Sequence, residues 1–136
     1  MVLSMTRDGF EAIEYLSGSG KFADREKHPY PCFILTDLKM SPGDGFVVLD
    51  HVRKGHASVP VTVFSASQDL DDIKKAYLLG AAGYLVKPQV FQEFCDVLHN
   101  LYKFWVQCEP PAIDMAGKQL KTSSRGKLGE RFGEAV

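Results

Sequence analysis

Three polar side chains stand where short apolar runs of the sequence end: Asp37, Ser65 and Lys87. The runs that precede them cover residues 32–36, 59–64 and 82–86. Continuous apolar runs of this length, bounded by turn-forming residues, are typical of strands buried on both faces of a parallel sheet. Because parallel strands bring their carboxyl ends to one edge of a sheet, we expect a carboxylate, a hydroxyl and an ammonium group around one crevice.

This combination of groups suits the transfer of a phosphoryl group to a carboxylate. Asp37 could act as the nucleophile and become an acyl phosphate. The moving phosphoryl group needs stabilisation of its negative charge more than it needs acid–base catalysis. Lys87 would supply a point charge to one oxygen and Ser65 a hydrogen bond to another, while Mg²⁺ would hold the third. The alternative is that each polar residue simply begins a loop, which is common.

Hydrophobic periodicity predicts the elements that position these groups. Apolar residues at helical spacing predict helices that begin near Asp8, Asp44, Asp69 and Val90. In the third helix, the spacing places Leu70, Ile73, Ala76 and Tyr77 on the buried face. A further short strand is predicted over residues 2–6. We favour its pairing with residues 32–36, and the alternative is that this edge is completed by a second copy of the chain or stays prone to aggregation. Strict alternation of strands and helices predicts an α/β fold, with a parallel sheet and right-handed helical crossovers.

Composition limits the classes of function. The 136 residues carry a net charge of −1, with 45% hydrophobic and 24% charged residues. This balance gives no electrostatic reason to expect nucleic acid or an anionic membrane surface as a partner. No apolar run approaches the roughly 20 residues that span a bilayer, and the first residues do not resemble a secretory signal. Three scattered cysteines indicate a reducing compartment.

The sequence changes character after the last predicted helix. From residue 108 onward, small, polar and basic residues dominate and large apolar residues are few. We therefore expect one folded unit over residues 1–107 and a disordered tail over residues 108–136. The last helix carries more apolar residues than one buried face needs, which makes a homodimer through this helix a second use of its surface.

Several motifs together resemble the receiver domain of two-component response regulators. The residues that carry the resemblance are Leu35-Thr36-Asp37-Leu38-Lys39-Met40, Asp44-Gly45, Val63-Phe64-Ser65-Ala66-Ser67, Gly80-Ala81 and Tyr84-Leu85-Val86-Lys87-Pro88. Residues 7–18 and Trp105 are similar to the stand-alone subgroup associated with phytochrome-type kinases. The resemblance extends over residues 2–107 and implies a flavodoxin-like fold, with helices on both faces of a parallel sheet.

The resemblance also implies a role for each site residue. Asp37 would be the phosphoacceptor, and Ser65 and Lys87 would contact the phosphate. Ser65 and Tyr84 would act as the switch, and Asp37 and the backbone carbonyl of Lys39 would bind Mg²⁺. The resemblance implies a cytoplasmic signalling protein of a phosphorelay rather than an enzyme, phosphorylated by a sensor histidine kinase of the phytochrome type.

One departure from the family pattern bears on the metal. Receivers open with a strand that ends in an acidic pair, followed by a first helix, and this sequence begins at what matches the second strand. Without that pair we expect poor Mg²⁺ binding and weak or no Mg²⁺-dependent phosphorylation. Two alternatives to a phosphoacceptor therefore stay open. One is a phosphorylation-independent interaction module, and the other is a truncated gene product with little activity.

Overall fold

The computed structural model describes residues 3–38, 44–55 and 58–120. Its elements are α1 (Gly9–Ser17), a 3₁₀ helix (Gly20–Phe22), β1 (Ile34–Thr36), α2 (Gly45–Lys54), β2 (Val61–Ser65), α3 (Leu70–Leu78), β3 (Gly83–Val86) and α4 (Phe91–Gln107). The described strands form a three-stranded sheet in the order β1-β2-β3, and both pairings are parallel. The predicted alternation of strands and helices from residue 32 onward is therefore present.

Aspartates begin three of the helices. Asp8, Asp44 and Asp69 each lie at the N-cap of the following helix, where a side-chain oxygen accepts a hydrogen bond from a first-turn N–H. Such caps satisfy backbone donors that have no partner within the helix. The opposite end of α1 is tied down by Arg25, whose guanidinium donates to the carbonyl oxygens of Tyr15 and Leu16 at 2.8 Å each.

The sheet is covered by helices on both faces. Val61 and Val63 of β2 belong to a buried cluster that includes Val48, Leu49 and Val52 of α2. The neighbouring residue Phe64 packs against Phe94 of α4, with ring centroids 5.1 Å apart. Because successive side chains of a strand point to opposite faces, α4 lies on the face opposite α2. Phe33, just before β1, stacks on Trp105 of the same helix at 5.7 Å.

The strand predicted over residues 2–6 is wrong for the part that the structure describes. Residues 3–6 have no strand conformation, and the described sheet has three strands instead of four. Leu3 and Met5 are each 83% exposed. No apolar surface covers these two side chains. Pairing of this segment as a strand would therefore bury no hydrophobic area that could stabilise it.

The predicted buried face of α3 is only partly correct. Ala76 is fully buried, but Leu70 is 79% exposed and Tyr77 is 51% exposed. The apolar residue at the start of α3 is therefore left largely exposed to solvent. Helical spacing fixes which residues share a face, but it does not show how far the covering layer extends.

The segment after α4 is ordered where the structure describes it, which corrects the prediction of a tail that is disordered from residue 108. Ile113 is 1% exposed and packs with Val59. The backbone N–H of Tyr30 donates to the carbonyl of Met115 at 2.8 Å, and Ile113 forms an antiparallel bridge with Gln119. Residues 121–136 lie outside the described residues. We call residues 108–120 the C-terminal clasp.

Candidate functional site

The carboxyl ends of the three strands meet at one edge of the sheet. Thr36 is in register with Val63, and Ser65 with Val86. Asp37 directly follows β1, Ser65 is the last residue of β2, and Lys87 directly follows β3. This edge therefore carries the three groups that the sequence predicted to meet, and it is the position where ligands bind in open parallel sheets.

Asp37 and Lys87 form an ion pair across this edge. The Nζ atom of Lys87 lies 2.5 Å from a carboxylate oxygen of Asp37, and the two side chains are 31% and 29% exposed. The backbone N–H of Lys87 donates to the carbonyl of Ser65 at 2.8 Å, which extends the pairing of β3 with β2 by one residue. The ammonium group is thus held over the carboxylate by the sheet itself.

Gly45 lets the first turn of α2 approach Asp37 closely. Its N–H donates to the carbonyl of Leu38 at 3.1 Å. A Cβ atom at Gly45 would overlap the carbonyl oxygen of Asp37. The carbonyl of Asp37 also accepts a 3.0 Å hydrogen bond from the hydroxyl of the buried Thr36. The backbone around Asp37 is therefore fixed from two sides, while its carboxylate faces the edge of the sheet.

Ser65 and Tyr84 both contact the loop between β2 and α3. Ser65 is fully buried, and its hydroxyl oxygen accepts a hydrogen bond from the N–H of Ser67 at 3.2 Å. The hydroxyl of the half-buried Tyr84 donates to the carbonyl of Ser67 at 2.9 Å. The two residues predicted to form a switch are therefore joined through Ser67. The sequence analysis gave Ser67 no role, and its position two residues after Ser65 is the signal that could have singled it out.

Around Asp37, the described residues offer few ligands to a metal ion. Within residues 3–38, 44–55 and 58–120, no three side chains of His, Cys, Asp or Glu are grouped so that they could hold a metal. The carboxylate of Asp37 contacts the ammonium of Lys87, which opposes a cation at the same oxygen. Mg²⁺ needs several oxygen ligands to replace part of its water shell. Lys39, the predicted carbonyl ligand, lies outside the described residues.

A family model described as the response regulator receiver domain matches residues 1–99. The chain belongs to the response regulator receiver family. This family is a signalling domain of two-component systems. Among the helices in residues 3–38, 44–55 and 58–120, none is long and apolar enough to cross a membrane.

Curated relatives of this receiver domain are themselves regulatory proteins. Response regulator Rcp1 of Synechocystis sp. is 29% identical over 107 residues, which cover 77% of this chain and 71% of that protein. The probable methanogenesis regulatory protein FilR2 of Methanothrix harundinacea is 29% identical over 105 residues. Those residues cover 74% of this chain and 63% of FilR2, so the chain spans less than two thirds of that relative.

Solved structures confirm the flavodoxin-like receiver fold. The phosphorylated cyanobacterial phytochrome response regulator RcpA matches with a TM-score of 0.70 and 29% identity, over 78% of this chain and 75% of that chain. A Mn²⁺-bound form of Rcp1 matches with a TM-score of 0.66 and 28% identity, over 74% of this chain and 72% of that one. The predicted parallel sheet with helices on both faces is therefore that of the family.

Proposed function

We propose that this receiver domain is a phosphoacceptor of a two-component phosphorelay and that Asp37 accepts the phosphoryl group. The observation that carries the proposal is the 2.5 Å ion pair between Asp37 and Lys87 at the carboxyl edge of the sheet. A carboxylate oxygen at this edge can act as the nucleophile that becomes an acyl phosphate. The same ammonium group can contact the phosphoryl oxygens once the carboxylate of Asp37 is phosphorylated.

Phosphoryl transfer to Asp37 is balanced in bonds and protons when a phosphohistidine is the donor. A carboxylate oxygen of Asp37 attacks phosphorus while the P–N bond breaks, and the electron pair of that bond stays on the imidazole nitrogen, which takes a proton from water. Lys87 exchanges its contact with the free carboxylate for one with a phosphoryl oxygen. Ser65 turns its hydroxyl proton toward a second oxygen. Both residues thus stabilise the charge of the moving group rather than acting as acids or bases.

A sensor histidine kinase is the partner that this chemistry requires. Receiver domains are phosphorylated by such kinases, and the match to RcpA, a phytochrome response regulator, supports a kinase of that type. The response would pass to other proteins through α3, β3 and α4. Exposed apolar side chains on this side include Tyr77, Leu78, Val86 and Phe91. Exposed aromatic residues on α4, such as Phe104 at 58%, also fit the homodimer that the sequence predicted.

A second candidate function is an interaction module that works without phosphorylation. It is favoured by the lack of a three-ligand metal group among the described residues. Phosphoryl transfer without an effective divalent cation leaves the third oxygen unstabilised, so transfer to Asp37 would be slow. In this case the receiver fold would present the surface of α3, β3 and α4 to its partner in one fixed form.

Phosphoryl transfer from a radiolabelled, autophosphorylated histidine kinase of the phytochrome type tests the proposal. We expect slow labelling of the wild-type chain that hydroxylamine removes, as it removes an acyl phosphate, and no labelling of Asp37→Asn. Asp44→Asn is the matched control, because its side chain caps α2 and it should retain the label. Equal labelling of Asp37→Asn and wild type would refute the role of Asp37. No labelling of the wild type, with partner binding unchanged in Asp37→Asn, would favour the second function.

A further inference from the structure

The ammonium group of Lys87 has a second partner besides the carboxylate of Asp37. Its Nζ atom lies over the ring of Phe64, 5.9 Å from the centroid. This distance is within the roughly 6 Å at which a cation is attracted to the face of an aromatic ring. Phe64 is the residue before Ser65 in β2, and it is 4% exposed. The charged group at the sheet edge therefore contacts both a carboxylate and a buried ring.

The parallel pairing of β2 with β3 brings this ring to the ammonium group. Phe64 is in register with Leu85, which lies two residues before Lys87. The N–H of Lys87 donates to the carbonyl of Ser65 at 2.8 Å, so the pairing continues to this residue. Because alternate residues of a strand point to the same face of a sheet, the side chains of Phe64 and Lys87 share the face covered by α4.

The ring of Phe64 is held in place by α4, whereas the side chain of Lys87 is held mainly at its tip. Phe94 packs on the ring of Phe64 with centroids 5.1 Å apart and an angle of 37° between the two planes. Lys87 is 31% exposed and has a flexible four-carbon stem, which loses conformational entropy when its ammonium group is fixed. A buried ring beneath this group restricts where it can move.

The anionic partner of Lys87 changes during the proposed transfer, from the free carboxylate of Asp37 to a phosphoryl oxygen, but the ring beside it does not. We propose that Phe64 is a positioning residue, whose ring keeps the ammonium group of Lys87 at the sheet edge while that partner changes. The use of this contact in transfer rests on the proposed function. The contact itself is a property of the unphosphorylated chain.

Fluorination of the Phe64 ring separates the attraction of the ammonium group from packing. Each fluorine withdraws electron density from the ring face, while the ring keeps nearly the same size. Mono-, di- and trifluorophenylalanine are placed at position 64 alone, by a suppressor tRNA, in the full unphosphorylated chain. The readout is the ¹³C order parameter of the Cε atom of Lys87, assigned with Lys87→Arg, which reports how far this atom is immobilised. The same series at Phe94 is the matched control, because it tests the packing of the same two rings.

We expect the order parameter of Lys87 to fall with each fluorine at position 64 and to stay unchanged with fluorines at position 94. An order parameter that is constant over the Phe64 series would overturn the proposal. An equal fall in both series would also overturn it, because the effect would then come from packing between the rings.

The same variants measure the contribution of Phe64 to phosphoryl transfer. The rate of transfer from a phosphorylated histidine kinase should fall about two- to fivefold between Phe64 and its trifluoro form, as expected for weakening a partly exposed cation–π contact. In the Lys87→Ala background the fluorines should no longer change the rate, because the ammonium group is absent. A constant rate over the Phe64 series, or an equal fall in the Lys87→Ala background, would refute positioning through Lys87.

The two readouts distinguish failure of this proposal from failure of the proposed function. If no variant is labelled while the order parameter falls along the Phe64 series, the phosphoacceptor function is refuted and the role of Phe64 in holding Lys87 stands. Labelling of Asp37 with a constant order parameter would do the reverse.

Discussion

The Nζ atom of Lys87 lies 2.5 Å from a carboxylate oxygen of Asp37, although fifty positions separate the two residues in the sequence. The sheet brings them together, since β1 and β3 both pair with β2 in parallel. The pair is about two-thirds buried, so solvent still screens it in part. Its contribution to folding is therefore small, while its contribution to a charged transition state can be large.

Lys87→Ala is expected to lower the rate of phosphoryl transfer to Asp37 by about ten- to hundredfold, the worth of a hydrogen bond to a charged group. The free energy of unfolding should change by only about 0–1 kcal/mol, the range for a partly exposed ion pair. Rates of transfer from a phosphorylated kinase and urea unfolding measure the two effects. Lys54→Ala is the control, because Lys54 pairs with Asp50 at 2.9 Å far from the site. An unchanged transfer rate in Lys87→Ala would contradict the role given to this residue.

Gly45→Ala should destabilise the chain by about 1–3 kcal/mol, because the new methyl group would overlap the carbonyl oxygen of Asp37 and force the strand end and α2 apart. Gly55→Ala, at the other end of the same helix, meets its nearest atom at 3.4 Å and should change stability by less than about 0.5 kcal/mol. Urea unfolding followed by circular dichroism compares the two variants. Equal stability of the two would mean that α2 does not approach Asp37 as closely as described.

The C-terminal clasp should contribute measurably to stability. Ile113→Ala is expected to cost about 2–4 kcal/mol, as for other buried large-to-small substitutions, because Ile113 is 1% exposed. Met115→Ala is the matched control in the same segment, since its side chain is 49% exposed and should contribute little. Thermal unfolding of both variants decides the matter. If Ile113→Ala unfolds at the wild-type temperature, the segment contributes nothing to the folded state.

Calorimetric titration with Mg²⁺ should give a weak, unsaturated signal that is the same for the wild type and for Asp37→Asn. The reason is that no three-ligand metal group is found among the described residues and that Lys87 contacts the carboxylate of Asp37. A saturable isotherm in the wild type that disappears in Asp37→Asn would show a functional metal site at this edge and refute the expectation of weak binding.

The sequence predicted the placement of three polar residues at one sheet edge better than it predicted the packing around them. Asp37, Ser65 and Lys87 could be found because each follows a short apolar run, and parallel pairing then places all three at one edge. This inference needs only local patterns and one topological rule. The short contact between Asp37 and Lys87 is specific to the folded chain, but the proximity of the two residues was predictable.

The errors concern contacts between distant segments. Ile113 is one of the few large apolar residues in its stretch, and it is buried against Val59, more than fifty positions earlier. For Leu70 and Leu3 the error is the reverse: both fit an apolar pattern, but both are exposed. Composition and periodicity describe what a segment could bury, whereas the partner that buries it is set by tertiary structure.

Helix α4 has seventeen residues, and none of them is fully buried. Its packing on the sheet depends on a few aromatic contacts, those of Phe94 with Phe64 and of Trp105 with Phe33. A helix with so little buried surface should contribute little to the folding nucleus. We place that nucleus in α2 and β2, where Val48, Leu49 and Val63 are buried. Substitutions in α4 should then speed unfolding while leaving the refolding rate nearly unchanged, and stopped-flow measurements on Phe94→Leu would detect the difference between the two rates.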